Sequence, residues 1–266
     1  MSPLTIMAAA QKKGISALSI TDHDTMAAYP EAILAGEGHQ VEVLPGIEIT
    51  AHHLDISLHI LGFGLDFRSA ALAAGLDIIQ EARHQRNRQI IDKLNGFNLP
   101  ISMDDLPKGG NGQTGRPHIA RALVDKGVVR SEQEAFAKFL RKDGAAYVKR
   151  QLLPVRKAIA MITEAGGLAV LAHPGSLKMM ESDLKNLVHG LLADGLAGIE
   201  AYHPMNSEKM LQFLLKLCHS SGLIVTGGSD FHGREGDKAP LGEIGGRRRI
   251  PRGLFSALKA RLAGFA

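Results

Sequence analysis

The sequence predicts an α/β fold, with short buried strands alternating with helices around a parallel sheet or barrel. Three stretches carry the prediction. "GGLAVLAHPG" (166–175), "LAGIEAYHP" (196–204) and "GLIVTGGSDFHG" (222–233) repeat one design: glycine, a short apolar run, then His or Asp beside a turn. Helical segments at 154–165, 181–194 and 206–221 accompany them. The apolar runs lack clean alternation, as expected of strands buried on both faces.

Taken from the N-terminus, "PLTIMAAAQKK" reads as an amphipathic helix over 3–13, with Pro3 in its first turn and Gly14 at its stop. "ISALSIT" (15–21) is the first strand, and a helical stretch follows near 25–37. "VEVLPGIEIT" (41–50) is a strand pair or a strand bent at Pro45-Gly46, and "LDISLHILGFGL" (54–65) is a further strand. Residues 80–150 differ, because "EARHQRNRQIIDKLNGFNL", "PHIARALVDKG" and "SEQEAFAKFLRKDGAAYV" all read as helices with no strong strand between them. The expected organisation is an α/β body of 1–79 and 151–266 with 80–150 as a helical insertion that caps it. The loop 107–117 is Gly-rich and polar, hence mobile or ligand-facing.

Composition narrows the class. Lys and Arg number 31 against 27 Asp and Glu, a mild excess of +4 that suits an anionic substrate as well as a nucleic acid. The single Cys218 excludes an internal disulfide framework and suits a reducing cytoplasm. No apolar run approaches the roughly 18 residues of a membrane span, and the N-terminus lacks the order of a signal peptide. Twelve histidines stand out, because several follow apolar runs directly.

The polar residues read at strand ends are His23, Glu48, His59, His173, Glu200, His203, Asp230 and His232. If the strands are parallel, all lie on one face of the fold. Mixed His and carboxylate donors suit Zn, Mn or Fe, and Mg where oxygen predominates. Each has a duller reading: His173 could end a strand before a Pro turn, and His59 could be a satisfied core histidine. Glu48 is harder to dismiss, since a carboxylate between Ile47 and Ile49 in a central strand costs several kcal/mol if buried unpaired. Asp230 and His232, at i and i+2, share one side of an extended chain. Glu200 and His203 read as pocket lining. On the first helix of the insertion, Arg83 and Arg86 lie at i,i+3 and form, with Arg88, a cationic set whose alternative is a solvated face. "GGRRRIP" (245–251) reads as surface.

The motifs "TDHD", "PGIEIT", "LHILGF", "GRPHIAR", "VLAHPG" and "GSDFH" together resemble the polymerase-and-histidinol-phosphatase (PHP) domain proteins. The branch they are most similar to is the 3′,5′-nucleoside bisphosphate phosphatases and 5′→3′ exoribonucleases. The resemblance runs from about residue 2 to about 255. It implies a distorted (β/α)7 barrel, up to three divalent metal ions with manganese foremost, and hydrolysis of a phosphoester by metal-activated water. It further implies Glu48 as a carboxylate bridging two metals, His59 and His173 on the second, Asp230 on the first, and His23 and His232 on the third. Glu48, Asp230 and His23 would thus be catalytic, while Arg116 and His118, with Arg83 and Arg86, would contact substrate phosphate.

The family pattern also places a D-x-H-x-H strand and an S-D-G aspartate ahead of a helix that residues 1–14 resemble. By that pattern the first strand is absent here, so fewer metals would be held and only Glu48, His59 and His173 form a complete set. A wrongly assigned start or a truncated chain is the expected reason. The expected partner is a small phosphorylated nucleotide or short RNA, with no membrane and no stable DNA complex. The competing readings are a catalytically impaired remnant that binds metal or nucleotide, and a histidinol-phosphatase-like enzyme.

Overall fold

The computed structural model describes residues 1–106, 114–233, 237, 239–245 and 248–264. Residues 107–113 of the Gly-rich loop, and 246–247 of the basic run, lie outside the described residues. The chain divides into two compact units, Met1–Ala73 with Leu153–Ala266, and Ala74–Leu152.

Among the described residues, the strands belong to the first unit. β1 (Ala17–Leu18) pairs in parallel with β2 (Glu42–Val43). A six-stranded sheet contains β3 (Gly46–His53), β4 (Ile56–Phe63), β5 (Leu153–Pro154), β6 (Leu168–Leu171), β7 (Gly198–Tyr202) and β8 (Ile224–Gly227), in the order β5-β3-β4-β6-β7-β8. β6, β7 and β8 run parallel, as do β3 and β5. The parallel sheet or barrel expected from the sequence is corrected at β4, which is antiparallel to both β3 and β6. Chain length is the reason. Only Leu54 and Asp55 separate β3 from β4, and a parallel crossover needs a dozen or more residues. The strand expected over 15–21 is likewise short, pairing regularly at Ala17 and Leu18 alone.

The helices of this unit follow local chemistry. α1 (Pro3–Lys12) opens with the Ser2 hydroxyl accepting from the Thr5 N–H at 3.3 Å and Pro at its start, and the chain turns at Gly14 with φ +69°. α2 (Tyr29–His39) ends at Gln40 in the left-handed region. The β6–β7 and β7–β8 crossovers are α7 (Glu181–Ala193) and α8 (Glu208–Ser221). α8 is capped by Ser207 at one end and by Gly222, φ +66°, at the other. α6 (Val155–Glu164) precedes β6, and α9 (Gly253–Ala263) closes the chain. Every residue of β6 is fully buried, which explains a run with no alternation.

α3 (Ala70–Gly96) carries the chain into the second unit, which continues through α4 (Arg116–Asp125) and α5 (Glu132–Ala135). No strand occurs among its described residues. Its core is aliphatic, built on Ile90, Leu94, Ile119, Leu123 and Leu140, each fully buried. Among the described residues, no helix of either unit is long and apolar enough to cross a membrane.

The sheet is closely packed around β7. A Cβ on Gly198 would lie 2.8 Å from the Ile224 carbonyl oxygen and would also meet the Ile224 side chain. The carbonyl belongs to the paired strand and cannot swing aside. Gly198→Ala is therefore expected to lower unfolding free energy by about 1–3 kcal/mol, measured by urea denaturation.

Candidate metal centre

Glu48 is the third residue of β3 and His59 the fourth of β4, so both lie inside strands and not at strand ends as the sequence suggested. Their side chains meet because β3 and β4 are neighbours in register, Glu48 opposite Leu61 and Thr50 opposite His59. The Glu48 carboxylate is 6% exposed. Its Oε1 lies 2.6 Å from His59 Nδ1 and 2.9 Å from His173 Nε2, while Oε2 lies 3.3 Å from His23 Nδ1. His59 Nδ1 and His173 Nε2 are themselves 3.2 Å apart. Burial opposes a charge on Glu48, yet hydrogen bonds to His173 and His59 and the nearby His59 and His23 rings outweigh it and hold its pKa well below the usual carboxylate range. Burial would depress His173, but its bond to Glu48 and the Glu48, Glu200 and Asp230 charges raise it instead.

The chain after β1 brings His23 to this point. His23 forms a parallel bridge with Glu48, closed by Asp24 N–H to Glu48 O at 2.9 Å and Glu48 N–H to Asp22 O at 3.1 Å. Asp24 is fully buried, has φ +55°, and accepts from the Thr50 N–H at 2.9 Å and the Thr50 hydroxyl at 3.4 Å. It pins the loop to β3. Its neighbour Asp22 is raised by burial, with His23, the chain amino terminus and His232 acting the other way.

From Glu48 the ionisable side chains continue as an arc. Ring centroids are 5.0 Å apart for His23 and His59, 5.1 Å for His59 and His173, and 5.3 Å for His173 and His203. His203 Nε2 is 3.8 Å from Asp230 Oδ2, and Asp230 Oδ1 is 3.6 Å from His232 Nδ1. The six residues expected to bind metal thus fall in one contiguous group. Glu200 and His203, expected as pocket lining, are 6% and 2% exposed. Glu200 accepts the His173 N–H at 2.8 Å, and burial pushes its pKa up to about 7. Gly228 leaves room for this carboxylate, since a Cβ there would meet Glu200 Oε1.

Donor atoms from His23, Glu48 and His59 lie within 4.8 Å of one another, and His173 touches two of the three. An ionised, buried carboxylate among imidazole nitrogens fits a divalent transition metal, because a cation would replace three histidines as its charge partner.

The expected phosphate contacts all belong to the second unit. Arg83, Arg86 and the exposed Arg88 are on α3, Arg116 and His118 at the start of α4. Burial, reinforced by the Arg116, Arg150 and Arg83 charges, pulls the Arg86 pKa down to about 10. Arg86 donates from Nε to Val148 O at 2.9 Å, and Arg116 from Nη1 to Leu140 O at 2.9 Å. His118 Nδ1 accepts from the Gly115 N–H at 3.2 Å. Arg150, Asp24, Ser176 and Asn206 stand outside the residues that the sequence singles out. Asp24 had a signal, a second acid directly after a candidate ligand; the others had none. Of the basic run at 245–251, Arg248 pairs with Glu208 at the surface.

The PHP domain model matches residues 1–238. A 3′,5′-nucleoside bisphosphate phosphatase of Chromobacterium violaceum is 31% identical over 265 residues, 98% of this chain and 93% of the relative. A 5′-3′ exoribonuclease of Haemophilus influenzae is 30% identical over 232 residues, 87% of this chain and 85% of the relative. A crystal structure from Bifidobacterium adolescentis, named for a metal-dependent phosphoesterase, superposes with a TM-score of 0.83 at 32% identity, covering 98% of this chain and 91% of the other.

Replacing Asp24 tests how the His23 loop is held. Asp24→Ala leaves the buried Thr50 N–H without its acceptor, an expected loss of about 1–3 kcal/mol in chemical denaturation. Asp24→Asn keeps an oxygen acceptor and tolerates the left-handed backbone, so its loss should be clearly smaller.

Proposed function

The chain belongs to the PHP domain family and is a metal-dependent phosphoesterase, and from that premise we propose that it removes phosphate from a small 3′,5′-bisphosphonucleotide or releases 5′ nucleotides from short RNA. The observation that carries the reading is the buried, ionised Glu48 carboxylate contacted by His23, His59 and His173. We assign Glu48, His59 and His173 to one divalent ion, His23 and His232 to a second and Asp230 to a third, with Glu48 shared between two. Manganese is the ion we favour. When bound, such ions polarise phosphoryl oxygens and supply a nucleophile from water at neutral pH.

The protein's own residues do the rest. Glu48 stays ionised because three imidazoles surround it, so a ready anionic ligand needs no proton removed before metal enters. Buried Glu200 holds the His173 backbone by accepting its N–H. For phosphate we assign Arg83, Arg86, Arg116 and His118 of the second unit. Their support is electrostatic: Arg86 sits among like charges, and an anion would relieve a repulsion that now lowers its pKa.

The architecture we propose is a distorted (β/α)7 barrel. In its favour, the hydrogen bonding of β1 and β2 continues toward β3, through Leu44 N–H to Leu18 O at 3.0 Å and Glu48 N–H to Asp22 O at 3.1 Å.

With manganese present, the purified protein should release inorganic phosphate from adenosine 3′,5′-bisphosphate, and chelation should stop it. Glu48→Gln should lower kcat/KM by more than the roughly 100-fold that follows loss of an outer partner of a metal ligand. Arg86→Gln should act mainly on KM. A manganese-loaded protein that hydrolyses neither this nucleotide nor a short 5′-phosphorylated RNA would overturn the proposal.

A further inference from the structure

We propose that Ser176 and Asn206 are positioning residues that aim His173 at the metal, a claim resting on the assignment of His173 as a ligand. His173 has φ +27° and ψ +59°, outside the regions that ordinary residues occupy. Such a conformation costs on the order of 1–3 kcal/mol and persists only where its surroundings dictate it. Three bonds do so here. The His173 N–H donates to Glu200 Oε2 at 2.8 Å, the Ser176 N–H donates to His173 O at 2.9 Å, and the Gly175 N–H donates to Asn206 Oδ1 at 2.8 Å.

Asn206 is the anchor of the turn. It is 7% exposed, and its Nδ2 donates to Glu200 O at 3.1 Å and Ala201 O at 2.8 Å. One side chain therefore ties the end of β7 to the turn after β6. Only an amide can do this, with donors toward two carbonyls and an acceptor toward an N–H. Gly175 has no room for a side chain, since a Cβ would lie 2.6 Å from Met205 O. The turn is thus fixed from both sides.

Fixing the turn places the Ser176 hydroxyl 3.0 Å from His173 Nδ1. With Nδ1–H donating to the hydroxyl, Nε2 is the nitrogen that gives up its proton, now shared with Glu48, and turns its lone pair to an entering cation. Such partners set both the tautomer and the ring angle of metal-binding histidines. The order of dependence runs from the β7 carbonyls through Asn206, Gly175 and Ser176 to His173.

The test is calorimetric titration of manganese into chelator-stripped protein, alongside amide exchange at Gly175. Ser176→Ala and Asn206→Ala should each weaken manganese binding about 10–100-fold, while far-UV circular dichroism stays as in the parent. Ser176→Thr, which keeps the hydroxyl, should restore most of the affinity. Asn206→Ala should speed exchange at Gly175, and Ser176→Ala should not. Should Asn206→Ala fail to fold, Ser176→Ala and Ser176→Thr still decide. His173→Ala separates the two claims. Weakened binding in His173→Ala with parental affinity in Ser176→Ala and Asn206→Ala would overturn the positioning role alone. Parental affinity in His173→Ala would overturn the ligand assignment and the positioning role with it.

Discussion

The structure of the first unit depends on one constraint, a carboxylate buried and charged in the middle of a sheet. Removing a charge from water costs several kcal/mol unless partners replace the solvent. Glu48 has three imidazoles within hydrogen-bonding or ion-pair distance, on segments far apart in sequence. Meeting that need fixes how β4, β6 and the chain after β1 approach β3. The antiparallel β4 brings His59 across from Thr50, and the Ala172 N–H bonded to His59 O at 3.1 Å delivers His173 from the end of β6. A metal ion would enter where the proton-bearing nitrogens now converge. The same contacts that stabilise the fold are therefore those of the proposed cation site.

The cost appears in the backbone. Asp24, His173 and Asp230 all have positive φ, at +55°, +27° and +50°. None is glycine, and each sits at or beside a proposed ligand. Strain of this kind survives when neighbouring bonds over-determine it. Thr50 does so for Asp24, and Glu200 with Asn206 for His173. At Asp230 the preceding Gly228 leaves space that Glu200 Oε1 fills. Stability has been exchanged here for aim, a common trade at functional sites.

Much of this could be read from the residues. The Gly–apolar–His pattern located β6, β7 and β8, and Glu48 between two isoleucines announced a charge that had to be matched. The apolar pattern of β4 does not show its direction, although the two-residue link between His53 and Ile56 excludes a parallel crossover. His59 looked least like a ligand because it stands within an apolar run. Its contact with Glu48 emerges only when β3 and β4 are placed side by side. Ser176 and Asn206 carry no signal in sequence. A serine three residues after a histidine and an asparagine before a helix cap are common, and only the folded turn brings them together. Arg150 likewise joins the arginine group through space, 64 positions from Arg86 by their residue numbers.

The account's central claim is that Glu48, His59 and His173 form a divalent cation site. Its most direct test is a crystal structure of the manganese-loaded protein with data collected at the manganese absorption edge. The account predicts an anomalous peak in bonding contact with a Glu48 oxygen and with nitrogens of His59 and His173. Manganese bound only elsewhere, or the three side chains still bonded to one another in crystals saturated with the ion, would contradict it.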